Sequence, residues 1–251
     1  MKIYFPNNLF GHILGESYQL ALKENIQFIN SNEISKRINE EDNSAGMIPT
    51  LDLINNRNFF VSAKTGISFD GALNPGYYYY GENQKSLTDI YLTGDVTSVE
   101  VILTKVLLSE LYNISPQIHI TVNKRPEKDK TFLVVGDLNF SEGIAMSGVS
   151  LSEEIEDHLE VPFVNFIMAS REESTMKEIN KNLSEINESL NWQDLTRSYN
   201  FSEDTNEYIE NNISSLISQF DERDLEGIRQ LLLLPYYYQM IDDMIEVKFV
   251  D

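Results

Sequence analysis

Ile90-Tyr91-Leu92-Thr93-Gly94-Asp95-Val96-Thr97-Ser98-Val99-Glu100 is the stretch on which the fold turns. An apolar strand breaks at Gly94 and reopens as a helix whose next residues, Val101-Ile102-Leu103-Thr104-Lys105-Val106-Leu107-Leu108, are strongly apolar. Thr97 and Glu100 have the spacing of a capping box, in which each side chain satisfies a backbone N–H of the first turn. Such a helix start presents N–H groups, the hydroxyls of Thr97 and Ser98 and the positive end of a dipole, which together can hold a carboxylate or phosphate. The same residues also make a well-capped core helix with no ligand. Spacing alone leaves both readings open.

Upstream, Lys2-Ile3-Tyr4-Phe5 reads as a strand stopped by Pro6-Asn7-Asn8. A helical pattern runs from Leu9 to Asn25, a second strand over Ile26–Ile29, a second helix over Ser31–Glu40, and a buried strand over Ser44–Pro49. Strand, helix, strand, helix, strand predicts a parallel α/β sheet. Two further strands are expected at Phe59–Lys64 and Gly66–Gly71, then the extended run Tyr77-Tyr78-Tyr79-Tyr80. Alternate tyrosines face opposite sides of a strand, so one pair can line a cleft while the other packs inward.

Downstream, a second α/β segment starts at Asp89–Leu92 and its capped helix. It continues through strands Ile118–Val122 and Thr131–Val135, ending in Gly136-Asp137, a helix over Ser150–His158 and an apolar strand over Phe163–Met168. From Glu172 the chain reads as three charged helices, Glu172–Leu190, Ser202–Phe220 and Arg223–Met244, the last interrupted by Pro235. The expected organisation is two lobes, residues 1–76 with 169–251 and residues 77–168, with the tyrosine stretch and the Phe163–Met168 strand as crossovers.

Composition narrows the function classes. With 251 residues, 41% of them hydrophobic, the chain can bury a sizeable core. A formal charge of −21, from 40 acidic and 19 basic residues, argues against nucleic acid and anionic membrane surfaces as partners. It also repels anions at long range, so an anion site has to rely on local donors. The absence of cysteine removes disulfides, thiolate catalysis and sulfur-ligated metals. His12, His119 and His158 lack ligand-like spacing, so no metal or other cofactor is expected. No Gly-x-Gly-x-x-Gly, P-loop or Gly-x-Ser-x-Gly motif occurs. The acidic runs at 40–42, 153–157 and 172–173 read as solvated faces. No apolar h-region opens the chain and no stretch approaches a membrane span, so a cytoplasmic protein without membrane insertion is expected.

Gly46-Met47-Ile48-Pro49, Gly66-Ile67-Ser68-Phe69-Asp70-Gly71, Asp95-Val96-Thr97-Ser98-Val99, Val134-Val135-Gly136-Asp137 and Leu151-Ser152-Glu153-Glu154 with Val161-Pro162-Phe163-Val164 form an ordered set. In that order and spacing they resemble the menaquinone-biosynthesis family of the futalosine route, which includes chorismate dehydratase and the dihydroxynaphthoate synthase. The resemblance implies a two-lobe type 2 periplasmic-binding-protein-like α/β fold with the ligand in the cleft between lobes. It also implies a metal-free carbon–oxygen lyase or synthase acting on a small-molecule carboxylate. Carried over position by position, the family's early asparagine falls on Asn7 or Asn8, its Thr-Ser pair on Thr97 and Ser98, and its Gly-Asp on Gly136 and Asp137. The catalytic candidates are Asn7, Asn8 and Asp137, and the ligand-binding candidates are Ser68, Gly71, Asn74, Tyr78, Thr97, Ser98 and Gly136.

Two positions depart from the family: Pro75 stands where dehydratase-like members carry a serine, and Val96 where an arginine usually precedes the Thr-Ser pair. By their own chemistry, the asparagines and hydroxyls can hold a carboxylate, and a buried Asp137 can act as a base. Asn7-Asn8 can equally be an Asx turn or helix cap, and Gly136-Asp137 a plain turn. The alternative function is a non-catalytic solute-binding protein of the same fold, taking a small anion or polar metabolite and working with transporter subunits. A sensor that uses the cleft as a regulatory site is a third reading, and a homodimer is left open.

Overall fold

The computed structural model describes residues 1–82, 87–122, 125–188 and 199–251. The opening alternation is present. Strand β1 (Lys2–Pro6) leads to helix α1 (Leu9–Leu22), strand β2 (Asn25–Ile29), a 3₁₀ turn (Ser31–Glu33) running into α2 (Ile34–Glu40), and strand β3 (Ser44–Pro49). The first strand lies between the other two and parallel to both. Residues 2–5 and 44–49 are an almost continuous buried run, as a strand covered on both faces requires.

The expected pair of strands at 59–64 and 66–71 is instead one ten-residue strand, β4 (Phe60–Phe69). Gly66 does not break it. A Cβ there would lie 2.1 Å from the Phe220 ring and 2.5 Å from the Phe166 carbonyl oxygen, so the glycine admits a ring and a neighbouring backbone. The tyrosine run forms β5 (Gly76–Tyr79), and β6 (Asp89–Gly94) feeds α3 (Ser98–Tyr112). After these come β7 (Gln117–Ile120), β8 (Thr131–Val135), α4 (Leu138–Ser141), β9 (Val149–Ser150) and α5 (Leu151–Leu159). These five strands make the smaller sheet, ordered β7-β6-β8-β5-β9, with β6 parallel to both its neighbours.

The next strand, β10 (Phe163–Ser170), corrects the expected assignment to the second lobe. It pairs antiparallel with both β3 and β4, inside the larger sheet, and all eight of its residues are buried. The return crossing therefore falls at residues 160–162, ahead of this strand. Its unbroken burial, Asn165 and Ser170 included, marks a central strand covered on both sides.

The C-terminal region is less helical than its charge pattern suggests. The first expected helix divides into α6 (Glu173–Lys181) and α7 (Leu183–Glu188), and residues 189–190 of that expectation lie outside the described residues. The second stops at Asn212. Ile213–Ser215 is a 3₁₀ turn and Leu216–Gln219 is a strand, β11, on the edge of β4. Burial alternates along β11 with period two, Leu216 and Ser218 facing in. The third runs from Glu222 to Tyr237, ending two residues past Pro235, whose ring cannot donate a backbone hydrogen bond. A last strand, β12 (Lys248–Val250), pairs parallel with β4 and completes the larger sheet, whose main path is β11-β4-β10-β3-β1-β2.

Candidate functional site

Each sheet contains one place where the strand order reverses. In the larger sheet β1 has β2 on one side and β3 on the other; in the smaller, β6 lies between β7 and β8. In open α/β sheets the crevice for a ligand forms beyond the carboxyl ends of the strands at such reversals. Here the carboxyl end of β1 delivers Asn7 and Asn8, and that of β6 delivers Asp95, Val96 and Thr97. The two ends face one another.

Local chemistry sets each side chain. The Asn8 amide oxygen accepts from the Gly11 N–H at 2.9 Å and caps α1, while the exposed Asn7 amide meets the His12 ring at 2.8 Å. On the other side Gly94 turns the chain at φ +99°, and Asp95 N–H donates to the Val135 carbonyl at 3.1 Å. The capping box holds: Val99 N–H donates to Thr97 Oγ1 (3.2 Å), and Glu100 Oε2 accepts from Thr97 N–H (2.8 Å) and its hydroxyl (2.6 Å). At the end of β8, Gly136 N–H donates to the Pro75 carbonyl at 2.8 Å.

Across the cleft, carboxylates of this chain occupy the donors. Leu9 N–H, at the start of α1, donates to Asp137 Oδ1 at 2.7 Å. Asp95 accepts from Ser31 N–H (3.3 Å), the Ser31 hydroxyl and Asn8 Nδ2 (3.4 Å). Asp52, just beyond β3, accepts from Ser35 (2.6 Å) and from Ser98 (2.8 Å), the first residue of α3. Asn165 of β10 donates to Glu100 Oε1 at 3.3 Å. The positive ends of α1 and α3 thus already carry negative partners.

Burial raises the pKa of Asp137, the Leu9 N–H draws it back, and the nearby Asp95 charge adds to the rise. Glu100 is raised by its complete burial and Asp52 by burial against Ser35 and Ser98, with the hydrogen bonds at each opposing the shift. The open space beside this seam, about 380 Å³, is lined by Asn7, Asn30, Asn32, Gly94, Asp95 and Val96.

Of the residues singled out in the sequence, Asn7, Asn8, Thr97, Ser98, Gly136 and Asp137 gather at these strand ends. The other four lie elsewhere: Gly71, Asn74 and Tyr78 have structural partners, and the Ser68 hydroxyl is buried without a hydrogen-bond partner. Ser68 is wholly buried in β4. The Gly71 carbonyl, at φ +139°, accepts from Ser152. Asn74 shapes the crossing between sheets, accepting from Gly76 N–H (2.8 Å) and donating to Ser150 (2.8 Å). Tyr78 is buried in the smaller lobe with its hydroxyl 2.9 Å from that of Thr104, so it walls no cleft.

Asp52, Asp95, Ser31, Ser35, Asn30 and Asn32 were not among the candidates. All follow the carboxyl ends of parallel strands, and strand order is the signal that finds them. Among the described residues no group of three or more His, Asp or Glu side chains is arranged to hold a metal ion. Among those residues, too, no helix is long and apolar enough to cross a membrane.

No protein-family model matches the sequence, and no curated protein matches it either. Solved structures do share its shape. The periplasmic aliphatic sulphonate binding protein SsuA from Escherichia coli gives a TM-score of 0.67 at 10% identity, over 99% of this chain and 90% of its own. A ligand binding component of an ABC-type import system from Staphylococcus aureus, solved with zinc bound, gives 0.57 at 10% identity, over 98% and 96%. Protein AF1704 from Archaeoglobus fulgidus gives 0.60 at 11% identity, over 96% and 98%. Identities this low speak for fold and not for activity. The chain has a mixed α/β, two-lobe fold like that of the type 2 periplasmic binding proteins, with a cleft between the lobes.

Proposed function

We propose that the protein is a solute-binding protein whose two lobes close on a small molecule at the carboxyl ends of β1 and β6. The observation that carries this reading is the facing pair of strand-order reversals, one in each sheet. Two bodies joined by crossings near residues 70–75 and 160–162 would hinge there, and transporter subunits are the natural partners of such a protein. The similarity to import-system components supports the same reading.

The lyase reading has less support. Its candidate base, Asp137, already accepts from the Leu9 N–H at one carboxylate oxygen. Pro75 and Val96 stand where that reaction's serine and arginine would be.

Thermal unfolding against a panel of chorismate, dihydroxybenzoates, amino acids, taurine, polyamines, phosphate and sulfate tests the proposal. A ligand at about 100 times its dissociation constant adds roughly 2.7 kcal/mol, an easily visible rise in Tm. One class giving a saturable rise that Asn30→Ala diminishes is the expected result. A rise with chorismate accompanied by its turnover would restore the lyase, and no rise with any compound would count against a solute site.

A further inference from the structure

We infer that the solute taken by this cleft is a small organic cation of the amine or polyamine class; the inference rests on the solute-binding reading above. The first ground is that five donors at the strand ends already have carboxylate partners. Leu9 N–H is on Asp137, Ser31 N–H and Asn8 Nδ2 are on Asp95, and the hydroxyls of Ser35 and Ser98 are on Asp52. An incoming sulfonate, phosphate or carboxylate would have to displace one of these aspartates and then lie beside it, like charge against like charge.

The second ground is the wall of the remaining space. Its lining is Asn7, Asn30, Asn32, Gly94, Asp95 and Val96, with no lysine or arginine. Asn30 directs its amide N–H to Glu33 at 3.1 Å, which leaves its carbonyl end to accept. Amide oxygens beside a carboxylate are what an ammonium group, which only donates, requires. The third ground is the charge of −21, which draws cations toward the cleft and repels anions.

Isothermal titration of the full chain with spermidine, putrescine, taurine and sulfate at moderate salt decides the matter. The expected result is saturable one-to-one binding of spermidine or putrescine and none of taurine or sulfate. Asp95→Asn should weaken amine binding roughly tenfold or more, as losing one partner of a hydrogen-bonded charge pair does. Because Asp95 also ties the lobes together, Asn32→Lys is the second variant: it places a cation in the same space without touching that seam, and it should abolish binding. Asp157→Asn, on the acidic helix α5, should leave binding unchanged.

Amine binding that Asp157→Asn weakens as much as Asp95→Asn is general attraction to an acidic surface, and it overturns the inference. Saturable taurine or sulfate binding that Asn32 substitution alters also overturns it, while leaving the cleft as a solute site. Binding of none of the four overturns it, and the wider panel under Proposed function then decides whether the solute site stands.

Discussion

Glu100 joins the two lobes while almost wholly buried, at 1% exposure. Its carboxylate accepts two hydrogen bonds from Thr97 within the smaller lobe and one from Asn165 in the larger sheet. A buried carboxylate with no cation beside it carries a desolvation cost that its hydrogen bonds only partly offset. Asn165 Oδ1, the other end of that amide, is buried without a partner. A glutamine at position 100 retains an oxygen for Thr97, offers an amide to Asn165 and removes the charge. Glu100→Gln should therefore leave stability within about 1 kcal/mol of the native chain or raise it, whereas Glu100→Ala should cost about 2–4 kcal/mol. Urea unfolding of the two variants checks the contrast, and equal losses would contradict it. The bonds between Thr97 and Glu100 could be read in the sequence because they lie within one helical turn. Those of Asp95 with Ser31 and of Asp52 with Ser98 span 64 and 46 positions, which no local pattern encodes.

The turns after β6 and β8 separate two roles of glycine. Gly94 has φ +99°, and a Cβ on it would lie 1.9 Å from the Val135 carbonyl oxygen, a contact with backbone that cannot swing away. Gly136 has φ +91°, but its nearest neighbour, Asp95 Cβ, would be 3.5 Å away. Gly136→Ala should cost about 1 kcal/mol, the conformational penalty alone, and Gly94→Ala about 2 kcal/mol or more, with loss of the Asp95 contacts that follow it. Denaturation midpoints that rank the two in the opposite order would refute the assignment. Elements whose signal is local were legible: the alternation through β3, the capped α3, and Gly136-Asp137 after a buried strand. Elements decided by a distant partner were not. Residues 216–219 carry helix-like spacing but complete an edge of β4, and residues 163–170 serve the larger sheet although the chain reaches them from the smaller one. Tyr77 and Tyr78 also went to packing, because β5 lies inside its sheet between β8 and β9.

The seam between lobes makes stability depend on pH in a definite direction. Asp52, Glu100 and Asp137 are all raised above the ordinary carboxylate range, chiefly by burial. The folded chain therefore binds protons more readily than the unfolded one at these sites. Their contribution grows as pH falls through the folded pKa values toward the ordinary range, and it is lost as pH rises back through them. Relief of repulsion among the net −21 charges acts the same way. Tm should rise on acidification from about pH 7.5 to about pH 5. Asp137→Asn, whose amide oxygen still accepts from Leu9, should flatten that rise, and a Tm that falls over the interval would contradict the direction.

If the lobes meet around a solute, the distance between them must respond to it. The native chain has no cysteine, so spin labels on Lys36→Cys and Lys105→Cys, exposed positions on α2 and α3, report one inter-lobe distance. A solute-binding cleft predicts that spermidine, and not taurine, narrows that distribution saturably, and that removing the Asp95 and Asp137 side chains broadens it. A single distance, indifferent to every compound in the panel and to both substitutions, would mean that the cleft is a fixed seam and the protein is not a solute receptor.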